Sequence, residues 1–532
     1  MRPSDQATNN NFWQKYKLVI STALYLMAIV LPSTMISSDG FSKAVYGLLI
    51  ILALVNHARI YFWLLLPFLI LSPVALYYAV FYKLPTDISF WFLLFGTNLV
   101  EVVDFIAKGN KPFIAIAYLS YILIAWFCYK NMTGKYFSSI QAKGRWLLMA
   151  LILIPLSYAP RNDNVRDYVL DVYRHFRKAY PQNLVLGYIA ADLEVQKLKD
   201  LVRQPPNFAP KLLANLDNLP ATYVLVIGES ARRDKMSVYG YQSNTTPNMQ
   251  VQPDLLIFKD MVSYGYNTST SIPYLLTKSK DTDMNPSFLD VFKQVGFKVF
   301  WLSNQAKYGE FDSLISSYAQ SADVVHFMNT HSYTMTAPDN FDENLLPFYQ
   351  QALTDKAAKK LIILHLYGSH PDFEKRYPAS ANKFTSAYDN TIYYTDQILQ
   401  QIINALQQHT ELAAMWYISD HGLALGECHV HGHIDAKNSY EVPFLMWFNL
   451  TWRNHNPNKY HLLQARQMIP LHTGDLFDTF TDVAGIRFAK QTLNRSFADS
   501  SFQRIPRVVK AANAEINYDA SQTDESCHLL AK

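Results

Sequence analysis

The sequence predicts two joined parts: an α-helical transmembrane domain of five spans, then an α/β soluble domain with a mainly parallel central sheet. Three observations predict it. Long apolar runs are confined to residues 17 to about 160. From residue 221, short β-rich apolar runs alternate with amphipathic stretches of helical spacing. Polar residues able to ligate metal stand directly after several of those runs. At 532 residues the chain is too long for one ordinary domain. Its net charge of +4 is small, and with no basic block it gives no reason to expect nucleic acid.

The spans fall near 17–38, 43–57, 60–82, 112–130 and 146–160. No small-residue cleavage site follows the first, so it reads as an anchor rather than a removable signal. Arg2, Lys15 and Lys17 precede span one, His57 and Arg59 lie between two and three, and Lys130, Lys135, Lys143 and Arg145 lie between four and five. Five spans place all three groups on one side, taken as cytoplasmic, and everything after residue 160 on the other. Residues 88–107 are apolar enough for a further span, but Asn98, Glu101 and Asp104 would then sit in lipid. An interfacial helix suits them better.

Residues 161–220 read as a helical linker containing the loop-like Gln204-Pro205-Pro206-Asn207. The soluble domain is expected over 221–505, with buried strands at 221–228, 298–304, 360–368, 414–419 and 443–448 and helices near 286–295 and 382–408. The tail, 506–532, lacks periodicity and reads as partly disordered. Cys128 lies in an apolar run, so Cys428 and Cys527 leave room for one bridge at most, and free thiols are preferred.

Open parallel sheets place their sites beyond the carboxyl ends of the strands. Gly228-Glu229-Ser230, Gly368-Ser369-His370 and Ser419-Asp420-His421-Gly422 all fall there. An isolated Asp-His pair is usually a helix cap and a satisfied imidazole. A glutamate ending a second strand in the same manner changes the balance: Glu229, Asp420 and His421 make a three-ligand zinc set with room for a nucleophile. The nucleophile should be a hydroxyl, and the loop Ser263–Tyr274 offers Thr268, Ser269, Thr270 and Ser271, among which side-chain chemistry does not choose. His429, His431 and His433 alternate and would share one face of an extended segment, suited to phosphate binding, proton transfer to a leaving group or a second metal.

The anchor, Gly228-Glu229-Ser230-Ala231-Arg232, Asn267-Thr268-Ser269-Thr270-Ser271-Ile272-Pro273, Gly368-Ser369-His370-Pro371, and Ser419-Asp420-His421-Gly422 with Gly426-Glu427, in this order and spacing, resemble the bacterial phosphoethanolamine transferases. That family belongs to the alkaline phosphatase and sulfatase superfamily, and the resemblance runs to about residue 500. It implies Glu229, Asp420 and His421 as zinc ligands, with Thr268 as nucleophile and fourth ligand, at one zinc site to which a second metal could be added. It implies His370, Lys307 and His431 in substrate binding, and Thr97 and Glu101 in a membrane-surface segment that receives the lipid head group. The segment after Gly426-Glu427 is about two residues shorter than in many lipid A-modifying members; His431 is the better match there and His433 an alternative. The few cysteines favour the branch that modifies lipopolysaccharide core or periplasmic glucans.

The resemblance thus implies a monomeric enzyme of the bacterial inner membrane with a periplasmic catalytic domain. It would carry phosphoethanolamine from phosphatidylethanolamine, through Thr268, to a lipopolysaccharide core, lipid A or periplasmic glucan. Two alternatives stand beside it. One is a phosphoglycerol transferase of the lipoteichoic acid synthase type; the other is a non-catalytic membrane protein with a degenerate sulfatase-like domain. A sulfatase proper is disfavoured, because no Cys/Ser-x-Pro-x-Arg nucleophile segment occurs.

Overall fold

The computed structural model describes residues 3–82, 85–86, 90–91, 111–137, 165–200, 210–213, 219–277, 287–307, 312–329, 340–426, 431–432, 434–489, 491–511, 514–524 and 529–530. The chain divides into two compact units, Met1–Lys197 and Leu198–Lys532.

The first unit is helical: α1 (Pro3–Ile36), α2 (Ser38–Leu54), α3 (Ala58–Tyr77), α4 (Lys111–Asn131), α5 (Val165–Phe176) and α6 (Gln182–Asp200). A tight corner separates α1 from α2, where the Ser37 hydroxyl accepts from Gly40 N–H at 3.0 Å and caps α2. Three helical stretches are long and apolar enough to cross a membrane: Trp13–Ile36, Ala58–Phe81 and Lys111–Asn131. Helix α2, at 17 residues, is shorter than the roughly 20 a perpendicular crossing needs. The five expected spans are therefore represented among the described residues by these three and α2; 146–160 lies outside them, as do Thr97 and Glu101. Val19, Ile20, Trp63, Ile70, Ile116, Leu119, Ile122 and Trp126 all point outward, an arrangement that suits lipid and not water.

The turn at His57–Arg59 meets the segment Tyr129–Lys135 at one end of the unit. Ala58 N–H donates to Gly134 O, His57 bridges to Lys135, and the Arg59 guanidinium lies 4.0 Å from the Tyr129 ring centre. Part of the expected linker packs into this unit. Tyr180 is buried, donating through its hydroxyl to Phe68 O, and Gln182 donates to Ala44 O.

The second unit is built on eight strands: β1 (Ala221–Gly228), β2 (Leu255–Val262), β3 (Lys298–Ala306), β4 (Val324–Asn329), β5 (Lys359–His365), β6 (Leu412–Ser419), β7 (Glu441–Phe448) and β8 (Pro470–His472). Their order is β8-β2-β7-β6-β1-β5-β3-β4. Only β7 runs antiparallel to its neighbours. Every residue of β1 and β6 is buried, as expected of strands covered on both faces.

Alternation along β1 divides the core. Tyr223, Leu225 and Ile227 face the helices Phe288–Gln294 and Leu476–Val483, while Val224 and Val226 face the helix Ala387–Gln407. The strand expected at 221–228 appears with those bounds, and the other expected strands and helices appear with shifted ends. β2, β4 and β8 were not anticipated. Lys259 and Asp260 interrupt the apolar run of β2, with Lys259 Nζ donating to Val238 O and Asp260 pairing with Arg507. Val324 and Val325 of β4 are partly exposed at the sheet edge, and β8 has three residues.

The tail also departs from expectation. Val508–Lys510 pairs with Glu515–Asn517, and Gln522–Thr523 with Leu529–Leu530. These pieces are too short to show a period. Their order comes from anchoring: Arg507 bonds both Asp260 and Asp519, and Val509, Ile516, Tyr518 and Leu529 share a small core with Val262 and Tyr440.

The aromatic packing beneath the sheet gives one test. Phe480 is fully buried and lies flat on Trp416 at 4.2 Å and 2°. Phe480→Ala should cost about 3–5 kcal/mol. It should also lower the thermal midpoint of the full-length protein, followed through tryptophan fluorescence.

Candidate active site

Strand pairing brings the acidic groups together. Gly228 of β1 stands in register with Ser419 of β6 in a parallel ladder, so Glu229 and Asp420 leave adjacent strands at the same level. Asp420 N–H donates to Gly228 O, and Ser369 N–H to Glu229 O, tying three strand ends into one edge. Ser230 has φ +54°, a left-handed conformation uncommon for a residue with a Cβ. There its N–H reaches Asp420 Oδ1 at 3.2 Å and its hydroxyl reaches Glu229 Oε1 at 2.6 Å.

Glu229, Asp420 and His421 are buried, and one ligand atom from each lies within 4.8 Å of the others. The imidazole is oriented from behind. His421 Nδ1 lies 2.6 Å from Gly422 O, so it carries the proton and donates. Nε2 then faces the carboxylates, 3.3 Å from Glu229 Oε1 and 3.4 Å from Asp420 Oδ2.

The four hydroxyls left open by the sequence separate by geometry. Ser269 and Thr270 both donate to Asn267 Oδ1, and Ser271 donates to Gly265 O. Thr268 Oγ1 instead donates to Glu229 Oε2 at 2.9 Å and lies 3.2 Å from His421 Nε2. Thr268 is the first residue of the helix Thr268–Thr277. Asn267 closes that end by accepting from Thr270 N–H at 3.0 Å.

The electrostatics are those of a cation site. Burial, and then the Glu229 carboxylate beside it, push Asp420 up to about 7. Burial opposes an imidazolium at His421, but the Asp420 and Glu229 carboxylates outweigh it and raise His421 to about 9. Asp420 Oδ2 is buried and finds no hydrogen-bond partner among the described residues. Two buried carboxylates, one correctly oriented imidazole and an orphaned oxygen fit a divalent ion with mixed nitrogen and oxygen ligands.

The other expected residues stand around this edge. His370 lies on the loop after β5. Arg376, nearly buried, holds that loop by donating to His370 O and Pro371 O and lies 3.9 Å from the Tyr367 ring centre. Lys307 directly follows β3, its carbonyl accepting from the Ser316 hydroxyl. The His431 backbone pairs with Leu425; its side chain, His433 and Cys428 lie outside the described residues, as does Cys527. Cys128 is buried with a free thiol.

Several supporting residues were not singled out from the sequence. Gln305 reaches Glu229 Oε2 at 3.5 Å and donates to Leu366 O. His365 is buried at the end of β5 and kept neutral by burial, down to about 4. Asp342 accepts from Tyr367 N–H, Gly368 N–H and Asn304 Nδ2. The polar run Ser303-Asn304-Gln305 closing an apolar strand was a readable signal. Asp342 lies far from β5 in sequence and carried none.

A threonine hydroxyl set against a buried acid–imidazole cluster that could hold a metal ion lies beyond the carboxyl ends of a mainly parallel sheet. Residues 221–486, half of the chain, match the family described as Sulfatase, and the chain belongs to that family. It is 27% identical over 495 residues, 84% of each chain, to the phosphoethanolamine transferase EptC of Escherichia coli K12. The crystal structure of the C-terminal periplasmic domain of E. coli EptC in complex with Zn aligns with 60% of this chain and 97% of its own. Its TM-score is 0.54 and its identity 28%. The integral membrane phosphoethanolamine transferase EptA of Neisseria meningitidis shares the fold over 81% of this chain and 84% of its own, with TM-score 0.50 and 21% identity.

Gly368 tests the packing of the site. Its φ is +53°, and a Cβ there would fall 2.9 Å from both Glu229 N and Glu229 O. Gly368→Ala should displace Glu229, lowering both the thermal midpoint and the metal content of the purified protein. Wild-type values for both would contradict this packing.

Proposed function

We propose that the chain is a zinc-dependent phosphoethanolamine transferase of the bacterial inner membrane. In this reading it is a multi-pass monomer whose second unit works in the periplasm. Its donor is phosphatidylethanolamine and its acceptor an envelope glycolipid or glycan. The observation that carries this reading is the Thr268 hydroxyl, which alone of the four in its loop is hydrogen-bonded to the Glu229–Asp420–His421 cluster. The relatives' names supply the head group.

One zinc ion would be held by Glu229, Asp420, His421 and Thr268. When bound, zinc lowers the cost of ionising a hydroxyl and polarises a phosphoryl oxygen. Glu229 Oε2 orients Thr268 and accepts its proton's hydrogen bond. The Thr268 oxygen attacks phosphorus, the bond to diacylglycerol breaks, and diacylglycerol departs with a proton. Phosphoethanolamine then resides on Thr268 until an acceptor oxygen attacks the same phosphorus and restores the hydroxyl. The amino end of the helix that Thr268 begins favours the negative charge on the phosphoryl group. His370, Lys307 and His431 add donors to its oxygens, and Thr97 and Glu101 receive the lipid head group at the membrane surface.

Intact-mass spectrometry of the full-length protein after incubation with phosphatidylethanolamine tests this. The wild type should gain a phosphoethanolamine adduct that maps to Thr268, and Thr268→Ala should gain none. An adduct formed only from phosphatidylglycerol would replace this reading with phosphoglycerol transfer. No adduct from either lipid would contradict it.

A further inference from the structure

The loop that delivers Thr268 is held from outside the sheet by the end of the chain. Tyr264, four residues before Thr268, is fixed at each of its groups. Its N–H donates to Thr473 Oγ1 at 3.1 Å, and its carbonyl accepts from Lys510 N–H at 2.7 Å. Its hydroxyl donates to Glu515 Oε1 at 2.7 Å. Its ring stacks on Tyr274 at 4.0 Å and 20°, and Tyr274 belongs to the helix that Thr268 begins. Two of these restraints come from the hairpin Val508–Lys510/Glu515–Asn517.

The hairpin is itself tied down away from the metal cluster. Arg507 joins it to Asp260 of β2, and Tyr518 donates to Glu441 of β7 at 2.6 Å. Tyr440 links hairpin and loop, donating through its hydroxyl to Lys510 O while its carbonyl accepts from Ser263 N–H. Farther on, Leu529 N–H donates to Asp435 O, in the segment just after His431–Gly432. Glu229, Asp420 and His421, by contrast, are set by β1 and β6. The three cluster ligands and the nucleophile therefore have largely separate supports, meeting where Thr268 bonds Glu229 and where Gly422 N–H donates to Ser439 O beside Tyr440.

We infer that the C-terminal hairpin is a positioning element for Thr268, with Glu515 acting through Tyr264 to set the nucleophile loop against a cluster assembled independently. The inference rests on the phosphotransfer reading above. A small displacement of an attacking oxygen costs rate steeply, whereas a cluster on other strands is unaffected.

The test follows the single-turnover rate of Thr268 modification by phosphatidylethanolamine in the full-length protein. Lipid half-saturation, zinc content and thermal midpoint are measured beside it. Glu515→Ala and Tyr264→Phe should each slow modification about tenfold, with the other three readouts at wild-type values. Glu515→Gln keeps an acceptor for the tyrosine hydroxyl and should restore most of the rate. The Glu515→Ala/Tyr264→Phe double variant should be no slower than either single one, because both remove the same bond. Wild-type rates in both single variants would overturn the inference. So would slow modification accompanied by lost zinc or a lowered midpoint, or a Glu515→Gln variant as slow as Glu515→Ala. A wild type that forms no adduct would instead refute the phosphotransfer reading itself.

Discussion

The register between Gly228 and Ser419 is the constraint on which the site depends. Because β1 and β6 are parallel and adjacent, both end at the same edge and deliver Glu229 and Asp420–His421 into one small volume. All three side chains are withdrawn from water, where two carboxylates repel each other and neither is solvated. The sheet supplies the energy for this arrangement. β1 and β6 are buried throughout, and their aromatic and aliphatic side chains are packed by helices on both faces. A one-residue slip would turn each strand over and separate the acids.

Around this pair, small polar groups hold each side chain of the cluster in place. Ser419 Oγ bonds Ala231 N–H and His421 O, cross-linking the two strand ends. Gly422 O selects the His421 tautomer. Asp342 gathers the amides of Tyr367 and Gly368. Thr268 reaches this cluster through Glu229 Oε2 and His421 Nε2.

The sequence was most legible where burial on both faces makes strands into continuous apolar runs. ATYVLVIG and AMWYIS announced β1 and most of β6, and the acids just beyond them announced the cluster. Legibility failed where tertiary contacts override local pattern. β2 carries a lysine and an aspartate that find partners only after folding, and β4 is a partly exposed edge. The tail has no period because order there comes from Arg507 and a few buried side chains. The choice among four neighbouring hydroxyls was likewise hidden. It depends on which of them Asn267 and Gly265 occupy, and that is a property of the folded loop.

The central claim is that the Glu229–Asp420–His421 cluster exists to hold a metal. Zinc analysis of the purified full-length protein, with thermal melting before and after chelation, tests it most directly. The account predicts bound zinc in the wild type, its loss in His421→Ala, and a lower thermal midpoint once chelation leaves two buried carboxylates beside one imidazole. A metal-free protein whose midpoint neither chelator nor added zinc alters would contradict it, as would undiminished zinc in His421→Ala.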